Sequence, residues 1–264
     1  MSLELLGVAV DVGVAAAQHI ADLRPAGRVD VASTKSSPTD AVTEIDRQSE
    51  LFIRQRLLDA RPDDAIIGEE GDDHAGTSGV EWLVDPIDGT VNFIYDIPQY
   101  AVSIAAVANG QTVSGFVINV ASGERWGAAR GMGAWRSTGG ERTPLSMPSP
   151  PPLAQAMVAT GFNYVPEVRR NQALAVAALL PQVRDIRRFG SAALDLCGLA
   201  SGRFDAYVEQ GLQPWDLAAG TLIAREAGLV VRGLDADEPD NRLTMAAHPA
   251  LAEEFFGAVR ACGF

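Results

Sequence analysis

Three residue types that build many catalytic and metal sites are scarce in this chain. Its 264 residues include two cysteines, three histidines and a single lysine. Cys197 and Cys262 are too few for a disulfide framework or a four-cysteine zinc site, and they fit a reducing, cytoplasmic compartment. His19, His74 and His248 are scattered, and none lies three or four positions from another, so a histidine-based metal motif is excluded.

Positive charge is also scarce. The 21 basic residues face 34 acidic ones, which gives a formal net charge of −13. A surface this negative repels nucleic acid and anionic lipid, so we expect neither a nucleic acid nor a membrane as partner. An anionic substrate would then need a local positive charge, which a divalent cation commonly supplies. Lys35 stands out because every other basic residue is arginine, which suggests that a lysine is required there.

The N-terminal segment carries no uninterrupted apolar run of membrane-spanning length. It contains Glu4 and Asp11 and no basic residue before Arg24, a pattern that matches neither a signal peptide nor a span of 18 apolar residues. The spacing of its apolar and small residues by three and four predicts an amphipathic helix. We therefore expect this segment to pack on the body of the protein.

Apolar residues make up 47% of the chain, enough for one large domain or two packed subdomains. A second helix is predicted to begin near Pro38–Asp40 and to end at Arg61, before Pro62. The region 100–135 predicts an antiparallel meander, with Asn109-Gly110 as a hairpin turn.

Five prolines fall in residues 144–152, and this segment divides the chain into two predicted halves. Residues 1–143 form the N-terminal α+β half, and residues 153–264 form the C-terminal half. The alternative is a stiff surface loop within one domain. Strands and helices alternate after residue 153, which indicates a partly parallel sheet flanked by helices.

Acidic residues stand where predicted strands end. Glu69 follows a short apolar strand, Asp85 and Asp88 flank a turn after the next strand, and Asp216 opens a helix. Carboxylates are the ligands that hard cations such as Mg²⁺ prefer. The sequence therefore predicts that these four side chains form one metal site.

The turn DPIDGT at 85–90 combines features for a cation and for a phosphate. Pro86 stiffens the turn, and Ile87 can offer its carbonyl oxygen as a ligand. Gly89 lets a phosphate approach the backbone closely. The N–H groups of Gly89 and Thr90 open a predicted short helix, and a helix N-terminus attracts anions.

This hexapeptide resembles the first signature of the inositol monophosphatase family, a family of Mg²⁺-dependent, lithium-sensitive phosphatases. The run WDLAAG at 215–220 is similar to the family's second signature. Further similarities follow in family order along nearly the whole chain: KSSP at 35–38 with Asp46, GEE at 68–70, and GSAA at 190–193. The match is strongest with the bacterial inositol-1-monophosphatase branch.

The resemblance implies a role for each matching residue. Asp85 would bridge two Mg²⁺ ions, with Glu69 and the Ile87 carbonyl completing the first ion's ligands. Asp88 and Asp216 would hold the second ion, and a third, weaker ion would lie near Glu69. Two ions of this kind activate water and stabilise a leaving oxygen.

The remaining roles concern water and substrate. Thr90, hydrogen-bonded to Asp46, would orient the attacking water, and Lys35 would lie in a mobile catalytic loop. Gly89 and Thr90 would bind the phosphate through backbone N–H groups. The hydroxyls of the substrate ring would contact three residues: Asp88, Ala192 and Glu209. Simpler interpretations exist for some of these residues: Asp46 solvated on its helix, Thr90 only starting a helix, and Glu209 in a structural ion pair.

The implied fold is of the α/β (α+β) class, a layered αβαβα sandwich. It has an antiparallel sheet in the N-terminal half and a mixed sheet in the C-terminal half, and the protein is expected to form a homodimer. The implied reaction is hydrolysis of a phosphate monoester by metal-activated water, releasing myo-inositol and phosphate from myo-inositol 1-phosphate.

Several alternatives remain open at this point. Fructose-1,6-bisphosphatase, histidinol-phosphatase and 3′-phosphoadenosine phosphatase activities belong to the same family, and a transcription-associated protein-binding role belongs to another class. Gln213 stands where the animal branch has a histidine, so the rim of the substrate pocket differs. Glu209 favours a polyol, because it accepts bonds from hydroxyls and would repel a second phosphate.

Overall fold

The computed structural model describes residues 1–35 and 40–264, and within these residues it contains seven α-helices and fourteen strands. The helices are α1 (Ser2–Leu23), α2 (Glu44–Ala60), α3 (Thr90–Ile94), α4 (Pro166–Leu179), α5 (Ala192–Ala200), α6 (Pro214–Glu226) and α7 (Pro249–Cys262). The strands are β1 (Ser33–Thr34), β2 (Ala41–Val42), β3 (Ala65–Gly68), β4 (Val80–Asp88), β5 (Ala101–Ala108), β6 (Gln111–Asn119), β7 (Arg125–Ala129), β8 (Ala134–Ser137), β9 (Arg142–Pro144), β10 (Met157–Thr160), β11 (Asp185–Arg187), β12 (Ala206–Glu209), β13 (Val230–Arg232) and β14 (Thr244–Ala247).

The larger sheet follows the chain order β3-β4-β5-β6-β7-β8-β9. Strands β4 to β9 form an antiparallel meander that includes the region 100–135, where one was predicted, and the β5–β6 hairpin turns at Asn109 and Gly110, both with positive φ. One pair departs from the purely antiparallel expectation, because β3 runs parallel to β4. The turn-rich segment between these two strands allows the chain to cross back to the same end of the sheet.

The smaller sheet has the order β11-β10-β12-β14-β13. Strand β10 pairs in parallel with both β11 and β12, whereas β14 pairs antiparallel with β12 and β13. This is the mixed sheet that the sequence predicts for the C-terminal half.

Helices and sheets stack in five layers. Helices α1 and α2 pack together, and α1 covers one face of the larger sheet. Helices α5 and α6 lie between the two sheets, and their apolar side chains form one cluster with residues of both. Helices α4 and α7 cover the outer face of the smaller sheet. The αβαβα sandwich is therefore confirmed.

Helix α1 is long and apolar enough, by length and composition, to cross a membrane. In the fold it packs against strands β5 and β6 and helix α2, and its Leu5, Ala9 and Ile20 are fully buried there. The amphipathic packing helix predicted for this segment is present.

Helix α2 begins later than predicted. Pro38 lies outside the described residues, Asp40 precedes strand β2, and the first helical residue is Glu44. Thr43 is the N-cap and forms a capping box with Asp46. The prediction near Pro38–Asp40 was wrong because this reciprocal cap fixes the start of the helix.

The proline-rich segment joins the two sheets. Its first residue, Pro144, still belongs to edge strand β9, and Leu145 donates its N–H to Ala134. The halves share the central helical layer as a common core. The division of the chain at 144–152 stays a prediction.

Candidate active site

Adjacent strand ends bring the predicted acidic residues to one cleft. Strands β3 and β4 are parallel, with Gly68 paired to Val84, so Glu69 directly after β3 and Asp85 within β4 lie at the same end of this strand pair. The N-termini of α5 and α6 reach this edge from the central layer. The described residues that line the cleft are Asp40, Ala41, Glu69, Asp85, Ile87, Asp88, Gly89, Thr90, Phe162, Asn163, Tyr164, Arg188, Gly190, Ala192, Glu209, Gln210, Gly211, Leu212 and Asp216.

The conformation of the DPIDGT turn is fixed by the Asp85 side chain and by Gly89. Asp85 Oδ1 accepts the N–H of Ile87 at 3.0 Å, and the β4–β5 register shifts between Asp85 and Asp88. Gly89 has φ +98°, and a Cβ there would lie 2.9 Å from the carbonyl oxygen of Gln99. A side chain at this position would therefore meet both backbone strain and a close contact.

Asp88 connects the two halves of the protein. Its Oδ2 accepts the Ser191 hydroxyl at 2.7 Å and the N–H of Ala193 at 2.7 Å, both at the start of α5. These bonds orient Asp88 against an element about a hundred residues further along the chain. Ala192 lies beside them and lines the cleft, as predicted for a substrate contact.

Asp216 is held by the helix that it opens. Its Oδ2 accepts the N–H of Gln213 at 2.7 Å, and the two residues form a capping box at the start of α6. Gln213 does not belong to the described lining of the cleft. It supports Asp216 through its backbone N–H.

Asp46 and Thr90 form the predicted hydrogen bond. The Thr90 hydroxyl lies 3.0 Å from Asp46 Oδ1 and 3.1 Å from the carbonyl oxygen of Ile87. Asp46 is 1% exposed and also accepts the N–H of Thr43 at 2.9 Å. Thr90 lines the cleft, whereas Asp46 lies behind it on α2 and is not solvated.

Lys35 contacts two adjacent carboxylates. Its Nζ lies 2.7 Å from Glu69 Oε1 and 2.5 Å from Glu70 Oε1. Burial opposes the charge of Lys35, but Glu69 and Glu70 outweigh burial and raise the pKa of the ammonium group. Burial raises the pKa of Glu70 to about 7, although its bond to Lys35 acts in the opposite direction. Lys35 thus forms an ion pair with Glu69, one of the predicted metal ligands.

Glu209 lines the cleft from the end of β12. Its Oε2 accepts the hydroxyl of the fully buried Tyr207 at 2.7 Å. Burial, helped by the nearby charge of Asp88 and opposed by Tyr207 and Arg188, raises the pKa of Glu209 to about 7. The described structure shows no ion pair of Glu209 with an arginine, so the structural ion pair considered from the sequence is not formed.

The carboxyl groups of the cleft disfavour one another's ionisation. Burial, followed by the charges of Glu69, Asp88 and Asp216, raises the pKa of Asp85 well above its usual range. Burial and the charges of Asp88 and Glu69 do the same for Asp216. Burial raises the pKa of Asp88 to about 6, against the opposing bonds from Ser191 and Ala193. Without a counter-cation, each of these three aspartates is therefore harder to ionise than a free carboxyl group.

The chemistry of this donor set fits a hard divalent cation. Carboxylate oxygens and the Ile87 carbonyl converge on one cleft, and a bound cation would neutralise the repulsion that raises the pKa values. Among residues 1–35 and 40–264, no group of three or more His, Cys, Asp or Glu side chains is arranged so that it could hold a metal ion without a change in side-chain positions. The acidic side chains line the cleft, and Glu69 forms an ion pair with Lys35.

Some residues of the site did not emerge from the sequence. Ser191 holds Asp88, and Tyr164 and Arg188 line the cleft. Arg188 is the only basic residue in the described lining. Glu50 lies behind the cleft. It stands four residues after Asp46, on a helix face that continues with buried Ile53, and this spacing is a signal that could have identified it from the sequence.

The five-layer fold with an acidic cleft between its halves is that of a known class of phosphatase structures. The solved structure of SuhB from Mycobacterium tuberculosis superposes with a TM-score of 0.85, is 41% identical, and covers 100% of this chain and 98% of its own. In sequence, the inositol-1-monophosphatase SuhB of Mycobacterium tuberculosis is 46% identical over 232 residues, which are 86% of this chain and 80% of the relative. The Nus factor SuhB of Vibrio cholerae is 38% identical over 231 residues, covering 86% of this chain and 84% of the relative.

The family model of the inositol monophosphatase family matches residues 2–263. The chain therefore belongs to the inositol monophosphatase family, and the resemblance read from its motifs is confirmed.

Proposed function

We propose that this protein is a Mg²⁺-dependent phosphate monoester hydrolase that acts on myo-inositol 1-phosphate. The observation that carries the proposal is the cleft that Glu69, Asp85, Asp88 and Asp216 line together, where burial and neighbouring charges raise the pKa of the three aspartates. Such a donor set needs cations to become fully ionised, and a phosphate dianion needs cations to approach it.

The proposed ligands are the four carboxylates and the carbonyl oxygen of Ile87, which would hold two ions, and the resemblance adds a weaker third ion near Glu69. When bound, such ions lower the pKa of water and neutralise charge on the leaving oxygen. Lithium inhibition follows from the family resemblance and is part of the proposal.

The chain's own residues position the reactants. The Thr90 hydroxyl, held by Asp46 at 3.0 Å, is placed to orient a water molecule at the cleft. Gly89 has no side chain between the backbone and the phosphate, so the N–H groups of residues 89 and 90 can donate to phosphate oxygens. No cysteine belongs to the described lining of the cleft, and the proposal uses direct attack by water rather than a covalent phosphocysteine.

The proposed substrate is a polyol phosphate. Glu209 is fixed by Tyr207 and presents carboxyl oxygens to the cleft, where ring hydroxyls can donate to it. Asp88 and Ala192 line the same cleft as Glu209. The inositol-1-monophosphatase name of the 46% identical relative supports this choice.

A substrate panel tests the proposal. Phosphate release is measured from myo-inositol 1-phosphate, fructose 1,6-bisphosphate, histidinol phosphate and 3′-phosphoadenosine 5′-phosphate, each with Mg²⁺, with EDTA, and with Mg²⁺ plus Li⁺. We expect Mg²⁺-dependent, Li⁺-sensitive release that is fastest with the inositol phosphate. Faster release from another member would overturn the substrate assignment, and release from none would overturn the phosphatase proposal for this panel.

A second candidate is a protein-binding role in transcription, supported by the relative named Nus factor SuhB. A net charge of −13 disfavours direct RNA contact but permits a protein partner. A pull-down of transcription proteins with the wild type and with Asp88→Asn separates the roles. Binding that survives the substitution supports a function independent of catalysis, and absence of binding removes this candidate.

The proposal also includes a cytoplasmic location and a homodimer. Cys197 and Cys262 are both free thiols, which suits a reducing compartment. The homodimer derives from the family resemblance, and sedimentation of the purified protein measures it directly.

A further inference from the structure

We propose that Glu50 is a positioning residue that sets the metal affinity of the cleft by holding the backbone next to Glu69. The inference rests on the proposed metal-dependent function. Glu50 is on helix α2 and does not line the cleft. It therefore acts through the segment that carries Glu69 rather than on the substrate.

The first observation is a buried hydrogen bond to the backbone. Glu50 is 2% exposed, and its Oε2 accepts the N–H of Glu70 at 2.7 Å. Its Oε1 accepts the Nε of Arg54 at 2.8 Å, one turn further along the same helix. Arg54 supplies the counter-charge that a buried carboxylate requires, and the same carboxylate holds the loop through its second oxygen.

The second observation is that the chain wraps closely round this carboxylate. A Cβ at Gly68 would lie 2.5 Å from Glu50 Cδ, and a Cβ at Gly71 would lie 2.8 Å from Glu50 Oε1. Glycines on both sides of Glu69 and Glu70 let the backbone make this approach. The path of the segment 68–71 is therefore defined by the Glu50 carboxylate.

The third observation is that the same helix face supports the neighbouring turn. Asp46 and Glu50 are four residues apart, so they project from one face of α2. Asp46 accepts the hydroxyl of Thr90 after strand β4, and Glu50 accepts the N–H of Glu70 after strand β3. Helix α2 thus holds both segments that follow the parallel strands, the one that carries Glu69 and the one that carries Thr90.

A glutamine at position 50 cannot reproduce these contacts. Its amide has one oxygen and one NH₂ group, whereas Glu50 accepts bonds from the Glu70 N–H and from Arg54 on two different oxygens. One of the two donors would then face an NH₂ group. We expect segment 68–71 to lose its fixed position while the helix and the sheet remain.

The test is calorimetric titration of Mg²⁺ into the EDTA-treated, dialysed full-length protein. Glu50→Gln is compared with Asp64→Asn, a matched control at the opposite end of β3. Asp64 is 1% exposed and accepts bonds from Trp82 Nε1 and the Ser78 hydroxyl, so its loss also destabilises the strand. A second variant, Gly71→Ala, keeps the Glu50 charge but displaces the carboxylate.

We expect Mg²⁺ to bind about tenfold or more weakly to Glu50→Gln and Gly71→Ala, and with wild-type affinity to Asp64→Asn. Wild-type affinity in Glu50→Gln, or an equal loss in Asp64→Asn, would overturn the role of Glu50 and leave the proposed function intact. If the wild type itself binds no Mg²⁺, the proposed function fails, and the inference fails with it.

Discussion

At the scale of single residues, the cleft holds more buried negative charge than the protein's own cations neutralise. Lys35 pairs with Glu69 and Glu70, and Arg188 is the only basic residue in the described lining. The pKa of Asp88 is raised to about 6, and those of Glu70 and Glu209 to about 7. This excess of acid is the physical basis of the proposed metal dependence.

The raised pKa values predict an unusual pH dependence of stability in the absence of metal. The folded protein binds more protons than the unfolded chain between the ordinary carboxyl pKa and about 7, so its stability falls as the pH rises through this range. We expect the EDTA-treated protein to lose several degrees of Tm between about pH 5 and 8. Mg²⁺ should remove the part of this loss that comes from its proposed ligands Asp85, Asp88 and Asp216, because it binds their ionised forms. Thermal melts across this range check the prediction, and a Tm that is constant or rises in EDTA would contradict it.

Thr90 tests the proposed orientation of water. Thr90→Val removes the hydroxyl that Asp46 accepts at 3.0 Å but keeps the side-chain shape and the backbone N–H. We expect kcat to fall by about 10²-fold or more, with little change in the thermal melt. Thr90→Ser keeps the hydroxyl and should retain most of the activity. Equal activity of the valine and serine variants would show that the hydroxyl has no such role.

At the scale of elements, the site depends on where helices and strands begin and end. Asp46 belongs to the capping box of α2, and Asp216 to that of α6. Both carboxyl groups therefore stabilise a helix start and stand at the cleft or directly behind it. Glu69 directly follows β3, and Asp88 is the last residue of β4, which runs parallel to β3.

The cap of α2 can be tested by a matched pair of variants. Thr43 is fully buried, and its hydroxyl forms bonds with both the backbone and the side chain of Asp46. Thr43→Ala should lower the free energy of unfolding by about 1 kcal/mol, whereas Thr43→Ser should change it by only a few tenths. Urea unfolding measures both. An alanine variant as stable as the serine variant would mean that the cap contributes nothing.

Local signals predicted some elements better than others. The hairpin at Asn109 and Gly110 was predicted because an Asn-Gly pair suits positive φ at both central positions, and the structure has φ 52° and 71° there. Strands β1 and β2 are only two residues long, and β13 only three, so they carry no readable alternation. The acidic residues of the cleft stand in short local motifs and were predicted. The Ser191 hydroxyl that holds Asp88 is 103 positions away, and only the fold brings the two together.

At the scale of the whole molecule, the central helical layer joins the two sheets. Helix α6 packs on strands of the larger sheet, and α5 packs on β12 of the smaller one. Asp216 and Ala192 enter the cleft from these two helices. The order of the layers was predicted through the family resemblance, because periodicity identifies elements but not the faces that meet.

Gly115 marks the closest approach of the larger sheet to α6. A Cβ there would lie 2.8 Å from the Cα of Ala219, a backbone atom that cannot turn aside. Gly115→Ala should lower the free energy of unfolding by about 1–3 kcal/mol. Gly7→Ala is the control, because Gly7 lies in α1 with nothing within 4 Å of its Cβ position, and this change should stabilise the helix by about 0.5–1 kcal/mol. Urea unfolding of the two variants should therefore give changes of opposite sign, and a neutral Gly115→Ala would disprove the close packing.

The central claim is that the acidic cleft uses divalent cations to hydrolyse a phosphate monoester. The most direct measurement is phosphate release from myo-inositol 1-phosphate by the EDTA-treated protein as Mg²⁺ is added back, with Asp88→Asn measured in parallel. We expect no phosphate release without Mg²⁺ and saturable recovery of release in the wild type. In Asp88→Asn we expect the rate of release to fall by about 10²-fold or more. Release that is unchanged by EDTA, or a fully active Asp88→Asn, would contradict it.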